Sequence, residues 1–127
     1  MVNLNQIVVV VDDDQSVRRA IKRLLRSIGI VADTFPSGDE FLCMLSSIPS
    51  YRPACVILDI QMPGIDGLEI WRRLGPTSVP VIVITEDDDF AVRETTVASG
   101  AAYLLKPFDA TMLIKAVEIA LGGAPSP

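Results

Sequence analysis

The feature that most constrains this fold is a run of five β-branched residues, Ile7-Val8-Val9-Val10-Val11, followed directly by Asp12-Asp13-Asp14. Such a run is typical of a strand buried on both faces, as in a parallel sheet. The acids then lie at the carboxyl end of the strand, where open α/β sheets bind ligands. Because adjacent carboxylates repel one another, the pattern predicts a hard divalent cation with oxygen ligands at this edge.

Strand and helix patterns alternate five times along the 127 residues. Such alternation implies right-handed βαβ crossovers and a central parallel sheet, so we predict a doubly wound α/β fold. We assign residues 1–121 to one domain and residues 122–127, rich in Gly and Pro, to a linker-like tail. The remaining strands are predicted over 30–35, 55–58, 81–84 and 102–105, and the helices over 17–28, from Ser37, and over 67–74, 90–99 and 110–121.

Composition limits the chemistry and the partners of this chain. The formal net charge of −5 argues against nucleic acid as a partner of this domain. No apolar stretch approaches the roughly 20 residues that span a bilayer, and the first six residues lack a signal-peptide pattern, so we expect a cytoplasmic protein without a membrane partner. The absence of histidine excludes Ser-His-Asp catalysis, histidine-ligated zinc and a phosphohistidine carrier.

The two cysteines have no metal-type spacing. Cys43 lies in a predicted helix and Cys55 opens a predicted strand. We therefore expect two small buried thiols.

Four of the five predicted strands end in a chemically useful side chain. Taken alone, each of these residues has an ordinary explanation, since an Asp after a strand is often a helix cap and a Lys is often solvated. In a parallel sheet, however, these strand ends meet at one edge, which indicates a shared site. Its members are Asp12 and Asp13, Asp59, Thr85, and Lys106.

In this order and spacing, the strand-end motifs resemble the receiver domain of bacterial two-component response regulators over about residues 5 to 121. The length from Thr85 to Gly100 is most similar to receivers attached to helix-turn-helix transcription regulators of the LuxR type. The resemblance implies a flavodoxin-like sheet in the order 2-1-3-4-5 with five helices. The motifs are Val11-Asp12-Asp13, Leu58-Asp59-Ile60-Gln61-Met62-Pro63-Gly64-Ile65-Asp66-Gly67, Thr85, and Tyr103-Leu104-Leu105-Lys106-Pro107-Phe108.

The resemblance also implies a role for each site residue. Asp59 would accept a phosphoryl group from a sensor histidine kinase. Lys106 would contact the phosphate, and its bond to Pro107 is a candidate cis peptide. Thr85 would donate its hydroxyl once Asp59 is modified. Mg²⁺ (or Mn²⁺) would be held by Asp13, Asp59, the Gln61 carbonyl and, through water, Asp12.

Tyr103 has two open interpretations, a switch aromatic that follows Thr85 or simply a strand residue. Glu86 departs from the family pattern, because the residue after Thr85 is usually small. We hypothesise that Glu86 slows phosphotransfer or restricts the donors, and that Gln61 and Asp87 set the lifetime of the phosphoryl group. The rest of the acidic run is expected to be solvated, with Asp88 or Asp89 capping the next helix.

The preferred function is a phosphorylation-driven signalling switch, not an enzyme beyond self-phosphorylation and slow autodephosphorylation. Its output surface would be about residues 90 to 121, used for homodimerisation, with Val92, Val97, Tyr103 and Lys115 as candidates. An output domain that regulates transcription would lie outside this chain, although a single-domain regulator stays open. Two alternatives remain: a small phosphatase with an aspartyl nucleophile, suggested by Asp12-Asp13-Asp14, and a receiver-like interaction module that never takes phosphate, suggested by Glu86.

Overall fold

The computed structural model describes residues 6–75 and 79–122. The five strands are all parallel and lie in the order β2-β1-β3-β4-β5, which confirms the predicted doubly wound sheet and its strand order. The elements are β1 (Ile7–Val11), α1 (Gln15–Ser27), β2 (Val31–Phe35), α2 (Gly38–Ser47), β3 (Cys55–Asp59), α3 (Gly67–Leu74), β4 (Val81–Thr85), α4 (Phe90–Ala98), β5 (Ala102–Leu105) and α5 (Ala110–Ala120).

The sheet separates two hydrophobic layers, and β1 supplies side chains to both. Val8 and Val10 pack with α1 and α5, whereas Val9 and Val11 pack with α2 and α3. This alternation explains why the strand reads as a continuous apolar run, because both of its faces are buried. The best-buried helix residues of the two layers are Ile21, Leu25, Leu113 and Val117 on one side, and Phe41 and Ile70 on the other.

Each helix is preceded by a polar residue that caps it. The cap side chain accepts hydrogen bonds from backbone N–H groups of the first turn, which contributes about 1 kcal/mol per helix. Ser37 caps α2 as predicted, and of the two candidates for α4 it is Asp89 that serves. The other caps are Asp14, Asp66 and Asp109.

Strand β2 begins one residue later than the sequence pattern predicts. Gly29, with φ of 81°, ends the first helix, and the N–H of Ile30 donates to the carbonyl of Leu25 at 2.9 Å. The Ile30 N–H therefore closes the helix C-terminus. The last two helices also end slightly earlier than predicted, at Ala98 and Ala120.

The prediction that both cysteines are buried is wrong for Cys43, which is exposed, and correct for Cys55. Helix α2 buries Phe41 against the sheet. Cys43 follows two residues later, about 200° around the helix, and therefore faces solvent. Burial raises the pKa of the Cys55 thiol to about 12.

No helix in the described part of the chain is long and apolar enough to cross a bilayer. The predicted tail falls almost entirely outside the described residues, which end at 122. The proposed domain boundary at residue 121 therefore stays a prediction.

Candidate acidic site

The strand ends bring the predicted site residues to one edge of the sheet. Asp59 is the last residue of β3 and Thr85 the last of β4, while Asp12 and Lys106 directly follow β1 and β5. The backbone ladder continues at this edge, where the N–H of Lys106 donates to the carbonyl of Thr85 at 2.7 Å. The convergence that the sequence predicted is therefore present.

Three carboxylates form the centre of the site. Asp12 is fully buried, Asp59 is 2% exposed and Asp13 is exposed to solvent. One oxygen of each lies within 4.8 Å of an oxygen of the other two. Carboxylates at this spacing repel one another strongly when they are buried, so the site requires positive charge.

Backbone and side-chain donors fix the orientation of these acids. The N–H of Asp14 donates to Asp12 Oδ1 at 2.8 Å, and the N–H of Gln61 donates to Asp59 Oδ1 at 3.1 Å. The guanidinium of Arg18 donates to the carbonyl of Asp12 at 2.7 Å. Arg18 was not among the predicted site residues. The sequence feature that could have indicated it is its position in the first turns of α1, shortly after the acids.

Lys106 supplies an ammonium group to two of the three carboxylates, those of Asp12 and Asp59. Its Nζ lies 2.7 Å from Asp12 Oδ2 and 3.3 Å from Asp59 Oδ2, and its side chain is only 9% exposed. Burial lowers the pKa of this lysine, but its contacts with Asp12 and Asp59 outweigh burial and raise the pKa overall. Lys106 therefore stays charged, which leaves the centre of the site with an excess of negative charge.

The pKa of Asp59 is raised from 3.8 to about 6. Burial is the main cause, the nearby charge of Asp12 adds to it, and the opposing effect of Lys106 is smaller. Because the ionised form of Asp59 is disfavoured in this way, any further cation that reaches the carboxylate would stabilise its negative charge.

The donor set fits a hard divalent cation. Carboxylate oxygens are the ligands that Mg²⁺ prefers, and the exposed Asp13 leaves room for the water ligands that this ion retains. The acids border a cavity of about 270 Å³. It is lined by Asp13, Asp14, Asp59, Gln61, Glu86 and Lys106. Three of the predicted ligands, Asp12, Asp13 and Asp59, thus lie together, and Gln61 lines the same cavity.

The hydroxyl of Thr85 is engaged by a neighbouring loop. It donates to the carbonyl of Asp87 at 3.1 Å and accepts from the N–H of Asp87 at 3.2 Å. The Asp87 side chain in turn accepts a 2.7 Å hydrogen bond from Gln61 Nε2. This bond joins the loop after β3 to the loop after β4, and sequence reasoning did not predict it because the partners are 26 residues apart.

Tyr103 belongs to both the core and the surface. Its ring packs against the α2 and α3 side of the sheet, and its hydroxyl donates to Asp88 Oδ1 at 3.3 Å. The guanidinium carbon of Arg93 lies 5.5 Å from the ring centroid, and an Arg93 nitrogen lies 3.6 Å from Asp88 Oδ2. Asp88 therefore contacts Tyr103 and Arg93, whereas the sequence analysis expected it to be solvated or to cap α4.

Glu86 stands at the mouth of the acidic cavity, exposed to solvent. It also borders an adjoining groove of about 660 Å³ between α1 and the loop after β5. The Lys106–Pro107 bond in that loop is cis, as predicted. The apolar part of the groove consists of Val17, Ala20, Pro107 and Phe108.

Two glycines shape the loop after β3. A Cβ on Gly67 would lie 2.5 Å from the carbonyl oxygen of Asp59, so only glycine lets α3 approach this strand end. Gly64 has φ of 78° and supplies the turn after Met62-Pro63. These positions explain why both glycines occur in the sequence motif around Asp59.

Comparisons with known proteins agree with this geometry. A crystal structure of a response regulator receiver protein from Burkholderia phymatum has a TM-score of 0.85 and 61% identity, covering 96% of this chain and 99% of that one. The regulator NtrC of Salmonella typhimurium is 36% identical over 91% of this chain and 24% of its own length. FixJ of Azorhizobium caulinodans is 37% identical over 89% of this chain and 54% of its own length.

The chain thus spans about a quarter of NtrC and about half of FixJ. The family model of the response regulator receiver domain matches residues 8–118, a range that contains every residue of the acidic site. On the fold, the site and this match together, the chain belongs to the response regulator receiver domain family.

Proposed function

We propose that this chain is a signalling switch in which Asp59 accepts a phosphoryl group from a sensor histidine kinase. The observation that carries the proposal is the placement of the buried Asp59 on the wall of the acidic cavity, with Lys106 bridging it to Asp12. Such a kinase partner implies a cytoplasmic protein. The relatives NtrC and FixJ are transcriptional regulators, which supports a role in transcription through a further domain.

The proposed reaction is a single phosphoryl transfer. A carboxylate oxygen of Asp59 attacks phosphorus, the phosphorus–nitrogen bond of the kinase phosphohistidine breaks, and the imidazole leaves with the electron pair. The product is an acyl phosphate on Asp59. We do not assign catalytic turnover to the chain beyond this acceptance and slow hydrolysis of the acyl phosphate.

Mg²⁺ would be held by Asp13, Asp59 and the Gln61 carbonyl, with Asp12 acting through water. When bound, it offsets the charge of the carboxylates and of the transferred phosphoryl oxygens. Lys106, whose Nζ already lies 3.3 Å from Asp59 Oδ2, contacts the phosphoryl group as a point charge.

Phosphorylation places close to two negative charges where one carboxylate stood. Thr85 and Lys106 interact better with that charge in one conformation, so the population of that conformation rises. For Thr85 this requires its hydroxyl to leave Asp87, which holds it in the structure described here.

The proposed output is homodimerisation through α4, β5 and α5. Val97 is 61% exposed and Met112 55%, whereas Val92 and Tyr103 are half-buried and Lys115 is exposed. Sedimentation with Mg²⁺ and beryllofluoride, a phosphoryl mimic, tests this version. A chain that stays monomeric under saturating conditions would exclude the dimer.

Intact-mass spectrometry after incubation with phosphoramidate and Mg²⁺ tests the acceptor role. We expect one phosphoryl adduct on the wild type, none on Asp59→Asn, and loss of the adduct when EDTA removes the metal. An adduct that persists in Asp59→Asn would contradict the assignment. A folded wild type that takes no phosphoryl group from either phosphoramidate or a kinase would instead favour the unphosphorylated interaction module, which Glu86 at the cavity mouth supports.

The phosphatase alternative has less support from the geometry. Asp14 would be the second acid of an Asp-x-Asp pair, but its Oδ1 accepts from the N–H groups of Ser16 and Val17 as the cap of α1. Turnover of a phosphomonoester that Asp12→Asn abolishes and Asp59→Asn preserves would favour the phosphatase.

A further inference from the structure

We propose that the solvent-facing side of α1 binds the phosphate backbone of duplex DNA without reading its sequence. This side of the helix carries four exposed cations, Arg19, Lys22, Arg23 and Arg26, which we call the basic face. The inference goes beyond the proposed function, because such binding requires no phosphoryl group on Asp59.

The spacing of the four cations places them on one side of the helix. They occupy positions i, i+3, i+4 and i+7, which cover an arc of about 100° and a length of about 10 Å along the axis. The fully buried Ile21 and Leu25 lie on the other side of α1 and pack against the sheet. The basic face therefore points away from the core, where a large ligand can reach all four charges.

The cations of the basic face have no acidic partner in the part of the chain that the structure describes. The ion pairs found there use other cations, namely Arg72, Arg73, Arg93 and Lys106. The remaining cation of α1, Arg18, is half-buried and donates to the carbonyl of Asp12. The four charged groups of the basic face are therefore available to an anionic ligand.

The net charge of the whole chain conceals this face. Helix α1 contains five of the 11 cations and no acid. Since α1 contributes +5 to a formal net charge of −5, the rest of the chain carries −10. The expectation that nucleic acid is not a partner used the total charge, whereas a ligand at α1 responds mainly to charges within a Debye length of about 8 Å. The local charge therefore decides which ligand the basic face binds.

The composition of α1 favours duplex DNA over other polyanions. Proteins hold single-stranded nucleic acid by stacking its bases on aromatic side chains, and α1 contains no aromatic residue. A helix that lies in a membrane surface inserts its apolar side, whereas the apolar side of α1 is buried in the core. Binding to duplex phosphates requires only cations, and three of the four are arginines, whose planar guanidinium groups match phosphate oxygens.

The charge densities of the two surfaces are also compatible. Duplex DNA carries one negative charge for about every 1.7 Å of its axis, so the roughly 10 Å covered by the basic face corresponds to about six phosphates. Each of the four cations can therefore contact a phosphate of its own. Contacts of this kind hold a protein on the duplex and carry no sequence information.

Fluorescence anisotropy of a labelled duplex of arbitrary sequence, about 20 base pairs long, tests the inference with the full chain. The titration is run in EDTA, because Mg²⁺ competes for the phosphates. We expect a dissociation constant between about 1 and 100 μM at about 50 mM salt. The logarithm of the association constant should fall with the logarithm of the salt concentration with a slope of about −3 to −4, as four phosphate contacts require.

Three double variants locate the contact. Arg19→Gln with Arg23→Gln should weaken binding at least about tenfold and reduce the slope to about −2. Arg19→Lys with Arg23→Lys keeps the charge and should keep the slope. Arg52→Gln with Lys115→Gln is the matched control, since it removes two exposed cations outside α1 and should bind within about twofold of the wild type. Circular dichroism of each variant checks that the fold is intact.

The inference is overturned if the wild type, at up to about 1 mM, does not bind the duplex at about 50 mM salt. It is also overturned if the α1 glutamine variant and the matched control lose the same affinity, because total charge would then explain the binding. Vesicles of phosphatidylcholine with about 30% phosphatidylserine test the other polyanion. Binding to these vesicles that depends on Arg19 and Arg23, without binding to the duplex, would assign the basic face to a lipid surface and reject DNA.

Discussion

The Lys106 ammonium lies 2.7 Å from a carboxylate oxygen of Asp12, a residue that is fully buried. The same ammonium is 0.6 Å further from Asp59, since the two distances are 2.7 and 3.3 Å. The charge of Lys106 therefore stabilises the carboxylate of Asp12 more than that of Asp59. Burial, the main cause, and the charge of Asp12 therefore raise the pKa of Asp59 even though a lysine stands beside it.

Removal of the lysine charge should destabilise the metal-free protein. Lys106→Met keeps most of the side-chain volume but leaves two buried carboxylates without a cation, which costs about 3 kcal/mol of unfolding free energy. Urea unfolding in EDTA measures this loss, and added Mg²⁺ should restore part of it. The exposed Lys115→Met is the matched control and should change stability by no more than about 0.5 kcal/mol. Equal stability of the two variants would show that Lys106 is not needed for charge balance.

The fold was predictable because its signals are local. The apolar run Ile7–Val11 indicated a strand buried on both faces, and the acids and glycines after each strand indicated where helices begin and end. Cys43 was misassigned because its burial depends on its angular position relative to Phe41 on α2, and residue type alone does not fix that angle.

The site was predictable where it depends on topology and unpredictable where it depends on side-chain pairing. Parallel strand order brings Asp12, Asp59, Thr85 and Lys106 together whatever the loops do. The hydrogen bond of Gln61 with Asp87 depends on how two loops of separate crossovers approach each other. No periodicity in the sequence records such an approach, so the cap of α4 could be predicted to be Asp88 or Asp89, but the contacts of Asp87 with Gln61 and of Asp88 with Tyr103 emerged only from the structure.

The raised pKa of Asp59 predicts a pH dependence of the metal-free protein. The group has an ordinary pKa of 3.8 when the chain is unfolded and a pKa of about 6 in the fold, so the folded state binds more protons between these values. Stability should therefore fall as pH rises from about 4 to about 6, by at most about 3 kcal/mol. Urea unfolding in EDTA across this range should show the fall in the wild type.

Asp59→Asn removes the titrating group and should be more stable than the wild type at pH 7 without metal. The exposed Glu118→Gln changes the charge equally and should retain the wild-type pH dependence. A variant Asp59→Asn that keeps the full decline between pH 4 and 6 would assign the titration to another group.

Asp13 should dominate metal affinity because it offers a solvent-facing carboxylate in the ligand cluster. We expect Asp13→Asn to weaken Mg²⁺ binding at least about tenfold, as measured by calorimetric titration. Asp14→Ser is the matched control, since serine keeps a cap on α1 while it removes one neighbouring charge. Equal losses in the two variants would mean that only the total charge around the cavity matters.

Glu86 gives the sharpest prediction about the donor. The residue borders both the acidic cavity and the adjoining groove, so an anionic phosphodonor that approaches Asp59 passes its carboxylate. One repulsive charge at about 4 Å in water costs about 1 kcal/mol, which corresponds to roughly a fivefold change in rate. Glu86→Ala should therefore speed labelling of Asp59 by phosphoramidate by about that factor, measured as the rate of adduct formation.

The control Glu86→Gln removes the charge and keeps the length of the side chain. If repulsion is the cause, this variant should be accelerated as much as the alanine variant, and the acceleration should shrink as salt is added. Labelling that is unchanged or slower in both variants would show that Glu86 does not restrict the donor.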